Sequence, residues 1–368
     1  MKYYAGLDVS QQTTSICIVD EEGKTVAERK VASCPEAISE ALEPFAVTRA
    51  GLETGPLSVW LWNGLKERGV PIVCMDARHA NAALKMMPAK TDRNDAIGLA
   101  QIVRTGWCKS VHVKSTASHE ARALLATRSQ FVRTRCDLEN QIRGVLRTFG
   151  ILFGKRVGGF AKRAEEIIDG ELDASPTIQA VVEALMRARA NILEQIRHLE
   201  AKVRLIARQN KVVRRLMSVP GVGVITALGF AATIDDPTRF KRSSSAGAYL
   251  GLTPRIYASG ETMRSGRVSK RGDDFLRRSL YEAANALLTR IPRFSALKSW
   301  GLRIARRGGY RKAKVAVARK LAVILHAMWI SGETFPLVIA RAGRAGIITV
   351  MSVRGCLYQT ASHSWDRS

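Results

Sequence analysis

Four carboxylates stand in an order and spacing suited to metal-assisted chemistry on phosphate esters. They are Asp8 in AGLDVS, Glu53 in GLETG, and Asp92 with Asp95 in KTDRNDA. Asp8 and Glu53 each close a short run that reads as a β-strand. Asp92 and Asp95 are three residues apart, so a helix places them on one face. Carboxylates gathered in this way repel one another unless a cation neutralises them. Hard oxygen donors with room for water favour Mg²⁺ or Mn²⁺. Ions held there can stabilise the attacking and leaving oxygens of a phosphodiester.

The elements around them read as an α/β sheet. Residues 3–10, 14–20 and 25–31 are three short strands joined by polar turns. A helix over 35–46 follows, then a buried strand over 47–53 that ends at Glu53. Next come a helix over 56–68 that stops at Gly69, a strand over 70–75, and helices over 78–87 and 92–105. Three meander strands followed by alternating helix and strand give a sheet with helices on its faces. Residues 116–149 are helical in composition. Residues 177–210 carry the clearest periodicity in the chain. Val182, Leu185, Ile192, Ile196, Leu199, Val203 and Ile206 fall at 3–4 spacing, with Arg189 as the one break. That seam fits a helical hairpin within one chain or a coiled coil between two.

The charge points to the partner. Across 368 residues the formal net charge is +26. Residues 1–110 hold 13 Lys/Arg and 13 Asp/Glu, whereas residues 239–320 hold 21 Lys/Arg against 4 Asp/Glu, 21 − 4 = +17. A neutral half with a carboxylate cluster and a polycationic half suit separate catalytic and polyanion-binding lobes. Nucleic acid is the first such polyanion and an anionic membrane surface the second. No apolar run reaches the roughly 18 residues of a membrane span. The start of the chain reads as a strand rather than a signal peptide, and the expected location is cytoplasmic, associated with the nucleoid. Cysteines 17, 34, 74, 108, 136 and 356 are scattered without a C-x-x-C, which argues against a zinc site or a disulfide framework. Ser-His-Asp hydrolysis and ATP use have no motif to support them.

Two stretches of the basic half could hold phosphates. In SVPGVGVITALGFAATI, Gly221 and Gly223 sit in a turn between helical segments, resembling a helix-hairpin-helix element. Such a turn offers backbone N–H groups to a phosphate without reading sequence. Lys241, Arg242, Arg255, Arg264, Arg267, Lys270, Arg271, Arg277 and Arg278 follow, in a run rich in Ser and Gly. Ser259, before Gly260, could attack phosphorus if its proton were removed and the phosphate neutralised. On the residues alone Ser243, Ser244, Ser245, Ser265 and Ser269 are equally open.

Together GLDVS, LETG, KTDRNDA, SVPGVG, FKRSSSAGAYLGLTP, the Ser259–Gly260 pair and SKRGDDFLRRSLYEAA resemble the DEDD-type insertion-sequence transposases, recombinases guided by a bridge RNA. The resemblance covers about residues 3–335. It implies a RuvC-like domain of RNase H fold over 1–110, with Asp8, Glu53, Asp92 and Asp95 binding Mg²⁺ (or Mn²⁺). It implies a helical, coiled-coil dimerisation region over 111–212. A mostly helical, basic transposase domain over 213–335 would follow, its serine forming a covalent phosphoserine link to DNA. Ser259 best matches that serine. The implied partners are donor and target DNA, a structured guide RNA, and further copies of the chain as a homodimer assembling to a tetramer. Residues 336–368 have no counterpart. A RuvC-like nuclease that cuts branched DNA by activated water is the alternative. A nucleic-acid-binding protein without catalysis is a further one.

Overall fold

The computed structural model describes residues 1–85, 89–153, 159–260 and 262–335. The expected tail over 336–368 and the end of the helix expected over 78–87 lie outside them. The chain divides into two compact units, Met1–Ser115 and Thr116 onward.

The first unit is a mixed five-stranded sheet with helices on both faces. Its strands are β1 (Tyr4–Val9), β2 (Thr13–Val19), β3 (Thr25–Ala32), β4 (Arg49–Glu53) and β5 (Ile72–Met75), in spatial order β3-β2-β1-β4-β5. β1 and β2 run antiparallel, as do β2 and β3, whereas β4 is parallel to β1 and β5 to β4. The alternation of side chains along β1 and β4 sorts them between two faces. Leu7 and Leu52, register partners and fully buried, face a core with Ile38, Leu42, Leu61 and Leu65 of α1 (Pro35–Leu42) and α2 (Ser58–Glu67). The opposite face carries α4 (Asp92–Thr105), packed through Ala96, Leu99, Ala100 and Val103, with α3 (Ala77–Leu84) beside it.

α4 is bounded by local chemistry. The Thr91 hydroxyl accepts from the Asn94 N–H at 3.1 Å, and Gly106 closes the helix in the left-handed region at φ 68°. The helix expected over 35–46 is shorter than its composition suggests. Pro44 follows Glu43, and residues 43–45 tighten into a 3₁₀ turn.

The second unit is mainly helical. α5 (Thr116–Thr148) and α7 (Pro176–Gln209) pack along one another, with α6 (Phe160–Ile168) at one end. The seam of α7 is therefore covered within the chain, and its one break has a role. Arg189 Nε donates to Glu139 Oε1 of α5 at 2.9 Å, and its guanidinium lies over the Phe160 ring. A larger core joins the ends of α5 and α7 to α8 (Lys211–Leu216), α9 (Val224–Ile234), α10 (Ser244–Tyr249), α11 (Asp274–Thr289) and α12 (Ala296–Ser331). Fully buried Phe230, Leu280, Leu287, Val317 and Leu321 lie at its centre. α12 breaks at Gly309, whose φ of 80° is not helical.

The basic half contains an element that its sequence did not announce. Within the region expected to be mostly helical, an antiparallel hairpin forms from β6 (Pro254–Ser259) and β7 (Thr262–Val268). Every residue of β6 is exposed, so the ribbon has no apolar face from which periodicity could be read. Among the described residues no helix is long and apolar enough to cross a membrane.

Candidate active site

The carboxylates converge because two glycines let α4 rest directly on the sheet. Gly6 of β1 and Gly51 of β4 are register partners. A Cβ at Gly6 would stand 2.2 Å from Ala100 N and 2.3 Å from Ala96 O; one at Gly51 would stand 2.3 Å from Val103 Cγ2. Both positions therefore lie under α4 and exclude a side chain. Two residues further along each strand, on the same face, come Asp8 and Glu53. α4 brings Asp92 and Asp95 to them in its first turn, where the N-terminal end of the helix dipole favours negative charge.

The electrostatics reveal the crowding. Asp8 is pushed from its ordinary 3.8 up to about 6, first by burial, then by the charges of Asp95, Asp92 and Glu53, with Lys90 pulling the other way. Burial and Asp95 raise Glu53 too, again against Lys90. Asn81 Nδ2 of α3 donates to Glu53 Oε2 at 3.5 Å, and Lys30 Nζ of β3 stands 3.9 Å from Asp92 Oδ2. Among the described residues no three carboxylate, histidine or cysteine groups close into a compact metal cluster. Asp95, Asp92 and Glu53 act on Asp8, and Asp95 on Glu53, across an open site. Their chemistry fits a hard divalent cation: all are oxygen donors, and a cation relieves the repulsion that adds to burial in raising Asp8 and Glu53. An open groove of about 580 Å³ runs beside Asp92, lined by Arg29, Lys30 and Arg93 among others.

The basic residues belong to the second unit. Lys241 and Arg242 are exposed ahead of α10; Arg255, Arg264 and Arg267 are exposed on the hairpin; Lys270 and Arg271 are exposed just after it. Arg277 is different. Only 14% of its side chain is exposed, it pairs with Asp274 at 2.6 Å, and it donates to the Leu250 carbonyl at 3.4 Å. Its first role is structural. Arg278 is exposed and also pairs with Asp274, at 2.9 Å.

The two glycines of the turn before α9 differ. Gly221, at φ 90°, packs where a Cβ would meet Ala283 O at 2.6 Å, so fold packing alone requires it. Gly223 is exposed, has open space around it, and caps α9. Ser259 pairs with Thr262 at the tip of the hairpin, and Gly260 turns the chain at φ 56°.

Sequence reasoning missed Lys90, Asn81 and the two glycines under α4. The signal for the glycines was present: G-L-D at 6–8 and G-L-E at 51–53 repeat one pattern, a glycine two residues before a carboxylate.

Two family models match separate stretches of the chain. Residues 5–151, which include all four carboxylates, match the DEDD transposase model of the IS110 group. Residues 213–299, which include Ser259, match the model described as the IS116/IS110/IS902 transposase family. The chain belongs to the DEDD-type insertion-sequence transposases. The transposase for insertion sequence element IS1111A of Coxiella burnetii is 29% identical over 339 residues, 90% of each chain. The transposase for insertion sequence element IS1328 of Yersinia enterocolitica is 28% identical over 67% of this chain and 74% of its own. Among solved structures, RuvC of Thermus thermophilus aligns with 30% of this transposase and 99% of itself, at 17% identity and a TM-score of 0.24.

Proposed function

We propose that this transposase moves its element by phosphodiester exchange on a RuvC-like, RNase H-fold unit, with Ser259 as the nucleophile. The observation that carries the reading is that β1, β4 and α4 bring Glu53, Asp92 and Asp95 within electrostatic reach of Asp8, which burial first and then their charges raise to about 6. Asp8, Glu53, Asp92 and Asp95 would hold Mg²⁺ (or Mn²⁺), which supplies neutralisation of the phosphate and of the developing charge when bound.

The chain's own groups have separate tasks. Ser259 Oγ attacks the phosphorus and displaces a deoxyribose hydroxyl, forming a phosphoserine ester. The serine proton leaves to a base, and the departing oxygen takes one up. A hydroxyl from another strand then attacks the ester and releases Ser259. One phosphoester bond replaces another at each step, so strand exchange needs no ATP. Lys241, Arg242, Arg255, Arg264, Arg267, Lys270, Arg271 and Arg278 would line the path of the nucleic-acid backbones, and the N–H groups after Gly223 would meet a phosphate.

The remaining partners rest on the family resemblance. They are donor and target DNA, a guide RNA that reads both by base pairing, and a homodimer that assembles to a tetramer on DNA. An intermolecular role for α7 would use the part of its surface that α5 leaves open.

Excision of a mini-element with its native flanks, scored as joined junctions, tests the reading. Wild type should give junctions, and Ser259→Ala and Asp8→Asn none. Junctions from Ser259→Ala but not from Asp8→Asn would instead favour hydrolysis by water activated at the carboxylates.

A further inference from the structure

The β6–β7 hairpin carries an aromatic ring on the same face as Ser259. Residues paired across an antiparallel ribbon share a face, and residues two apart along a strand share it as well. Ser259 pairs with Thr262 and Tyr257 with Arg264, so these four side chains stand on one side. Ala258 pairs with Met263 and Ile256 with Ser265 on the other. Tyr257 is 58% exposed. Its ring lies across Gly266: a Cβ on that glycine would stand 3.2 Å from Tyr257 Cε2. The glycine gives the ring a flat seat and leaves its outer side open to solvent.

From this placement we propose that Tyr257 is a stacking platform for an unpaired nucleotide, held beside the phosphate that Ser259 engages. The proposal rests on the reading of Ser259 given above. Three observations favour a nucleic-acid strand as the occupant. The segment around the hairpin is strongly cationic, with 21 Lys/Arg against 4 Asp/Glu over residues 239–320. Arg264 stands directly across from the ring, where a guanidinium meets a phosphate or the edge of a stacked base. The Cα separation of Tyr257 and Ser259 is about 6.6 Å in an extended strand, the scale of one extended nucleotide. A ring that seats the neighbouring base would hold the phosphate still for attack, which makes Tyr257 a positioning residue. Stacking tolerates any base, so it adds no sequence preference of its own.

Photo-crosslinking of the full-length protein tests this. The probe is an oligothymidylate of about twelve nucleotides, long enough to cover one such platform, with 5-iododeoxyuridine in place of thymidine. Cross-linked peptides are then mapped by mass spectrometry. An adduct on Tyr257 is expected in wild type, in Ser259→Ala and in Met263→Ala, whose side chain is on the opposite face. Tyr257→Phe should keep the adduct at position 257, and Tyr257→Leu should lose it. In the excision assay Tyr257→Phe should stay within about threefold of wild type, and Tyr257→Leu should fall at least about tenfold, the range expected for loss of one stacked base. Absence of adducts from the hairpin, or Phe and Leu variants equally impaired in excision, would overturn the platform. An adduct on Tyr257 together with full excision by Ser259→Ala would retain the platform and remove Ser259 as the nucleophile.

Discussion

Gly6→Ala should unseat the active site through the fold rather than through its chemistry. The added methyl would stand 2.2 Å from Ala100 N and 2.3 Å from Ala96 O, both backbone atoms of α4. Ordinary contact begins near 3.4 Å, so about 1.2 Å of separation is needed (3.4 − 2.2). A side chain could swing away, but a helix backbone must move as a body or bend. Overpacking in a close-packed interior typically costs 1–3 kcal/mol, and backbone on the receiving side puts this case near the upper end, about 3 kcal/mol. That is a large share of the roughly 5–15 kcal/mol that holds a domain together. A lifted α4 also carries Asp92 and Asp95 away from Asp8 and Glu53. Urea unfolding followed by circular dichroism, with excision measured in parallel, checks both consequences. Stability should fall by about 2–4 kcal/mol and excision should be lost below the midpoint of unfolding. A Gly6→Ala protein within about 0.5 kcal/mol of wild type, the range of a neutral surface change, and active in excision, would refute the account of α4 seated on a glycine floor.

Other expectations follow from the same geometry. Because Asp8 titrates higher in the folded chain, about 6 against 3.8, its ionisation opposes folding. Metal-free wild type should therefore lose stability as pH rises from about 4 to 6. Asp8→Asn should remove that loss and be more stable at pH 7 by about 1–2 kcal/mol, the nominal 3 kcal/mol of the shift being discounted for solvent screening. Thermal melts in EDTA check this, and Mg²⁺ should raise the melting temperature of wild type more than that of Asp8→Asn. His326 is buried, donates from Nε2 to the Pro237 carbonyl at 2.9 Å and accepts at Nδ1 from the Ser243 hydroxyl at 3.0 Å. Burial lowers its pKa from 6.5, so the unfolded chain takes a proton that the folded chain refuses, and stability should fall as pH drops below about 6.5. His326→Gln should lack that component in pH-dependent melts. Arg189→Met should destabilise by about 1–3 kcal/mol by leaving Glu139 without its closest cation between α5 and α7, measured by urea unfolding. Arg264→Ala or Lys270→Ala should weaken binding to DNA and lower the salt slope by about one unit each. Unchanged slopes in both would argue against their phosphate contacts.

The sequence made the site legible where chemistry and period agreed. Asp8 and Glu53 stood at the ends of apolar runs, and the helix expected over 92–105 has the bounds that α4 shows. The seating of α4 was not legible, because a glycine inside a strand reads only as a weak strand former, and what lies above it depends on a helix some 90 residues later. The hairpin was missed for a different reason. Pro254 to Ser259 bury nothing, so backbone pairing and the turn at Gly260 make the ribbon without a hydrophobic period. The seam of α7 was legible, but its break was not, since Arg189 makes sense only beside Glu139 on α5. Arg277 looked like its cationic neighbours until the fold turned it towards Asp274 and the Leu250 carbonyl.

The proposed reaction passes through a covalent link between Ser259 and DNA made with help from the carboxylates. The direct measurement is capture of that link. Wild type and variants are incubated with end-labelled element DNA and Mg²⁺, denatured in detergent, and separated by gel; the adduct is then mapped by mass spectrometry. Wild type should give a detergent-resistant protein–DNA species with the nucleotide on Ser259, and Ser259→Ala and Asp8→Asn should give none. Cleaved DNA without any adduct in wild type, or an adduct that persists in Ser259→Ala, would contradict it.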